Sequence, residues 1–88
     1  MSERFEQIRG AIDETDLELV ALVNRRLALV RELWSLKREL GLERVDPGRE
    51  AAIRAALAAA NGGPLSAAGL DELVSELLAL TKRELDRS

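Results

Sequence analysis

The sequence contains no cysteine and no histidine. That removes the thiol nucleophile, the imidazole base and the usual zinc and haem ligands at one stroke. A chain without disulfides also fits a cytoplasmic protein. Aromatic residues are nearly missing, with one Phe, one Trp and no Tyr. β-branched residues are few, while leucine and alanine dominate, so the composition predicts an all-α fold. No apolar run approaches the roughly 20 residues that a membrane span needs. The first ten residues, MSERFEQIRG, are charged from the third onward and do not read as a signal peptide. There is no polybasic face either: 13 basic and 16 acidic residues are interspersed, for a net charge of −3, which argues against nucleic acid as a partner. At 88 residues the chain reads as one domain, residues 1–88, whose core is marginal unless oligomerisation enlarges it.

What is present is organised around residues 4–41, which read as one long amphipathic helix. Phe5, Ile8, Ile12, Leu19, Leu22, Leu29, Leu33, Leu36 and Leu40 alternate three and four positions apart, once Thr15 and Arg26 fill two slots. Proline is missing from the stretch, and its one interior glycine, Gly10, costs about 1 kcal/mol against alanine. Gly41 and then Pro47 mark the stop. A helix of this length makes a rod of roughly 55 Å, whereas a compact chain of this size has a radius of gyration of about 12 Å. Half of the apolar stripe would therefore be wet. Either the helix breaks near Gly10, or a second copy of the chain covers the exposed half. The stripe runs unbroken on both sides of Gly10, which favours the second copy.

Two cations interrupt the stripe. Arg26 takes a slot that the repeat assigns to leucine, and Lys37 follows eleven residues later, about 20° away on the same face. Cations on an apolar face need anionic company. Either each pairs with a buried acid or snorkels outward, or the two reach toward a common anion from positions about 16 Å apart along the axis.

The remainder is shorter. Residues 42–48, LERVDPG, form a break in which Asp46 and Pro47 open a second helix, predicted over Pro47–Ala60 with Ile53 and Leu57 as its apolar positions. Asn61-Gly62-Gly63-Pro64 is a turn. Ser66 caps a third helix over residues 67–88, with Leu70, Leu73, Val74, Leu77, Leu78 and Leu80 apolar. No serine sits at a recognisable nucleophile elbow. Asp13, Asp16, Glu43 and Asp46 read as solvated or capping residues, and nothing supports a metal site built from carboxylates alone. Cations at special places stand out instead: Arg9, Arg26, Lys37, and Arg49 in the first turn of the second helix, where a positive charge opposes the helix dipole. Arg49 either pairs with a neighbouring acid or is a further anion-binding group.

Arg9, Ile12, Asp13 and Asp16, the run L-x-x-L-V-N-R-R at 19–26, Lys37, the segment Val45–Glu50 and N-x-G-P-L-S at 61–66 together resemble the all-helical chorismate mutase family. The likeness spans nearly the whole chain with spacing preserved. It implies three helices per chain, one very long and two shorter, interlocked as a homodimer with two shared active sites. It also implies the rearrangement of chorismate to prephenate in aromatic amino-acid biosynthesis, with no cofactor and no metal. That reaction is intramolecular and needs neither nucleophile nor proton transfer, so a chain without His or Cys loses nothing. By resemblance, Arg26 and the partner chain's Arg9 grip carboxylates, and Lys37 donates to the ether oxygen. Arg49 supports the site, Asp46 and Glu50 lie near the substrate hydroxyl, and Thr81 stands where the family often has a serine on a carboxylate.

One position departs from the family. Four residues after that serine the family commonly has glutamine as a second donor to the ether oxygen, and here it is Leu85. Glu84 is about 100° round the helix; if a small shift brought it in, it would have to be protonated to donate, which would favour activity at lower pH. If it stays out, only Lys37 serves the oxygen and turnover should be weak. The turn at 61–66 and the second-helix motif also resemble the chorismate mutase segment at the N-terminus of some DAHP synthases. The alternative expectation is therefore a regulatory domain, fused to or associated with such a synthase, that binds chorismate or prephenate with weak or no turnover. A purely structural coiled-coil adaptor would leave Arg26 and Lys37 without anionic partners.

Overall fold

The computed structural model describes residues 2–87, which form three α-helices: α1 (Glu3–Leu40), α2 (Pro47–Ala60) and α3 (Ala67–Arg87). The all-α class and the three spans agree with the sequence to within a residue or two. Residue 88, which the sequence pattern includes in the third helix, lies outside the described residues.

The long helix α1 is continuous. Ser2 caps it, its hydroxyl accepting from the Phe5 amide, and Gly41 ends it in the left-handed region at φ 70°. The Gly41 amide bonds the Arg38 carbonyl and the Leu42 amide bonds the Lys37 carbonyl, the paired return bonds of a Schellman stop. Gly10 does not break the helix. At 58 Å the molecule's longest axis matches the rod that 38 residues make, and the radius of gyration is 16.7 Å rather than the 12 Å or so of a compact chain.

Of the two short helices, α3 packs against the C-terminal half of α1 and α2 packs against α3. Asp46 caps α2 by accepting from the Arg49 amide at 3.1 Å, with Pro47 in the first turn. The Asn61 carboxamide ties the following turn on both sides, donating to the Leu65 carbonyl and accepting from the Gly63 amide. Ser66 caps α3 through the Gly69 amide. Arg54 clasps α2 to α3, reaching Asp71 at 2.8 Å and Ser75 at 3.0 Å.

The core of one chain is very small. Among the described residues only Val74, Leu85 and Thr81 are buried, all on α3 and spaced seven and four apart on one face. Phe5, Ile8, Ile12, Leu19, Leu22, Leu29, Leu33, Leu36 and Leu40, the apolar positions of the stripe read from the sequence, remain exposed, while Arg26, read into the same stripe, is half-buried. No helix among the described residues is long and apolar enough to cross a membrane.

Candidate active site

A second stripe on α1 faces the other two helices. Val23, Arg26, Leu27, Val30, Trp34 and Lys37 are its half-buried positions, set to one side of the exposed leucines. The start of α2 and the last turns of α3 close on this stripe and leave a cleft of about 110 Å³. Six residues singled out in the sequence line it: Arg26, Lys37, Asp46, Arg49, Glu50 and Thr81.

Among the described residues neither Arg26 nor Lys37 pairs with an acid. Arg26 Nη1 donates to Thr81 Oγ1 at 2.7 Å, and Lys37 Nζ donates to the backbone carbonyl of Arg44 at 3.0 Å. An ammonium has three donor hydrogens, so two on Lys37 remain for a ligand. Arg49 makes no ion pair among the described residues either. The two carboxylates at the cleft are already engaged, Asp46 as the α2 cap and Glu50 by Lys82 at 3.4 Å. Five cations (Arg26, Lys37, Arg44, Arg49 and Lys82) thus line the cleft with two acids, and a third acid, Asp86, meets Arg44 from outside it, in a chain whose net charge is −3. Such an arrangement is suited to a small dianion.

Thr81 is 5% exposed, and its hydroxyl donates to the Leu77 carbonyl at 2.7 Å while accepting from Arg26. A hydroxyl has one hydrogen. With that hydrogen on Leu77, Thr81 orients Arg26 rather than donating to a ligand carboxylate, which differs from the role suggested by the family's serine.

Two sequence-nominated residues are not at the cleft. Arg9 lies 17 residues from Arg26, about 25 Å along a straight helix, with its guanidinium 5.5 Å from the centre of the Phe5 ring. Glu84 is paired with Arg87. The shift that would carry Glu84 inward is absent, because α3 keeps Leu85 on the buried face with Val74 and Thr81.

Sequence reasoning missed Trp34, Arg44 and Lys82. Arg44 contributes most: its guanidinium stacks 4.3 Å from the Trp34 ring centre and bonds Asp86 at 3.1 Å, while its carbonyl holds Lys37. No periodicity signals a loop carbonyl. Lys82 could have been noticed as a cation adjoining Thr81. Among the described residues no three acids gather as a metal site would require.

An all-helical scaffold whose cleft gathers cationic donors is suited to gripping a small dianion. Comparison with known proteins gives that class a family. Residues 8–85 match the family model for chorismate mutase type II, and the chain belongs to that family. Form II of the chorismate mutase from Thermus thermophilus is similar at a TM-score of 0.89 and 32% identity, covering 98% of each chain. Form I of the same enzyme gives a TM-score of 0.85 and 34% identity, over 90% of this chain and 99% of the other. A search of curated proteins by sequence found no match.

Proposed function

We propose that the protein is a chorismate mutase that converts chorismate to prephenate in aromatic amino-acid biosynthesis, acting in the cytoplasm as a homodimer of 1–88 domains with shared sites. The observation that carries the reading is the pair Arg26 and Lys37, half-buried, without acid partners, and opening with Arg49 onto one cleft.

The chemistry asks little of the protein beyond that. One carbon–oxygen bond breaks as one carbon–carbon bond forms within the same molecule, and no proton changes hands. The barrier falls if the substrate is held in its compact chair-like shape and the charge growing on the ether oxygen is met by a fixed donor. Arg26, kept in place by Thr81, takes one carboxylate, and Arg9 of a second copy takes the other. Lys37 turns its remaining N–H groups to the ether oxygen. Arg49 adds positive potential, and Asp46 and Glu50 lie at the substrate hydroxyl. With Leu85 apolar and Glu84 facing Arg87, Lys37 is the sole side-chain donor assigned to that oxygen.

The homodimer is supported by the exposed stripe on α1, which is too long for one chain to cover. A regulatory domain serving a DAHP synthase is the less favoured reading, distinguished by binding without turnover. The test is the loss of chorismate's ultraviolet absorbance on adding the isolated protein. Accelerated loss with prephenate as product is expected. Binding of chorismate without acceleration would replace the enzyme by the regulatory domain.

A further inference from the structure

On the other side of Trp34 a second cleft opens, lined by Arg31, Trp34, Arg38, Arg44 and Leu85, with a volume of about 380 Å³. Three guanidiniums gather there around an indole and a leucine. Arg31 and Arg38 are exposed and have no ion pair among the described residues, and the sequence explains why. The positions three and four away are Leu27, Ala28, Trp34 and Ser35 for Arg31, and Trp34, Ser35, Gly41 and Leu42 for Arg38. Helical neighbours of this kind cannot neutralise either cation. Asp86 is already taken by Arg44.

The cleft also lies clear of the stripe assigned to the second copy. Arg31 stands about 160° round the helix from Leu33, and Arg38 about the same from Leu36. A dimer formed through the leucines would leave it open to solvent.

We infer that this second cleft binds a small carboxylate with an aromatic or similarly apolar body. Guanidiniums match a carboxylate with paired, charge-assisted hydrogen bonds, and Trp34 with Leu85 offers the apolar body a wall. Trp34 and Arg44 line both clefts, whereas Arg31 and Arg38 line only the second, so the inference does not rest on the proposed catalysis.

Trp34 is the chain's single tryptophan, there is no tyrosine, and the indole lines both clefts, so intrinsic fluorescence reports a ligand in either and the variants tell the two apart. The experiment titrates sodium benzoate, excited beyond its own absorption, against wild type, Arg26→Ala and the double variant Arg31→Gln/Arg38→Gln, with circular dichroism confirming equal helix content. Saturable quenching is expected in wild type and in Arg26→Ala alike. Apparent affinity should fall at least about tenfold in the double variant, as for one lost charge-assisted hydrogen bond. Benzyl alcohol, which lacks the charge, and inorganic phosphate, which lacks the apolar body, should quench far more weakly. Non-saturable quenching in wild type would overturn the inference. So would quenching lost in Arg26→Ala but kept in the double variant, which would place benzoate in the first cleft. Phosphate competing as well as benzoate would reduce the cleft to an unspecific anion patch.

Discussion

The guanidinium of Arg26 and the hydroxyl of Thr81, 55 positions apart in the chain, are joined at 2.7 Å across the α1–α3 contact. Because Thr81 passes its own hydrogen to Leu77, Arg26 is fixed by a group that asks for no charge in return. Replacing Thr81 by valine keeps the volume and removes the acceptor. Thr81→Val is expected to lower kcat/KM for chorismate by about 1.5–3 kcal/mol, the worth of a hydrogen bond to a charged group. Thr81→Ser should restore most of it. Equal kcat/KM in Thr81→Val and wild type would detach Arg26's placement from catalysis.

Lys37 is assigned the ether oxygen. Lys37→Ala should lose roughly 3 kcal/mol or more of transition-state stabilisation, as other lost oxyanion donors do. Circular dichroism should find its helix content nearly unchanged, since among the described residues the Lys37 side chain bonds the Arg44 carbonyl and no helix cap depends on it. A variant that keeps most of its kcat/KM would take Lys37 out of the mechanism.

Glu84 carries the opposite expectation. Its carboxylate faces Arg87 and not the cleft, so Glu84→Gln should leave both turnover and its pH profile as in wild type. An acid-dependent activity that disappears in Glu84→Gln would show that Glu84 reaches the substrate as a proton donor.

These residues also mark what the sequence reveals and what it conceals. Helix spans were legible because caps and breaks are local: Asp46 and Ser66 accept amide hydrogens where expected, and Gly41 and Asn61 end their helices. Arg26 and Lys37 were legible as interruptions of a period. The sequence left open whether they pair with acids, and the structure shows neither doing so. The part played by Arg44 was hidden, because it depends on a loop carbonyl and on a stacking partner ten residues earlier. Whether Glu84 turns inward was also open. It is decided by packing, since Leu85 shares the buried face with Val74 and Thr81.

A second copy of the chain has an obvious seat. Nine large apolar residues of α1 lie exposed along one stripe, from Phe5 to Leu40. Light scattering is expected to give about twice the 9.7 kDa chain mass down to low micromolar concentration. Leu29→Glu, in the middle of the stripe, should drive the protein toward monomer with loss of helix content. A wild-type chain that is folded and monomeric at those concentrations would remove the dimer.

Function and assembly meet in a single mixing experiment. Arg9 and Arg26 are too far apart on one helix to touch one small ligand, so Arg9 is expected to act in the other copy's site. Arg9→Ala and Lys37→Ala should each be nearly inactive alone. When the two are unfolded together in equal amounts and refolded, half the dimers pair one chain of each kind. Each mixed dimer then has one site with Lys37 from one chain and Arg9 from the other, and a second site with both defects. Chorismate turnover should therefore return to about a quarter of the wild-type value. A refolded mixture as inactive as its parents, with subunit exchange verified by mass, would contradict the shared site.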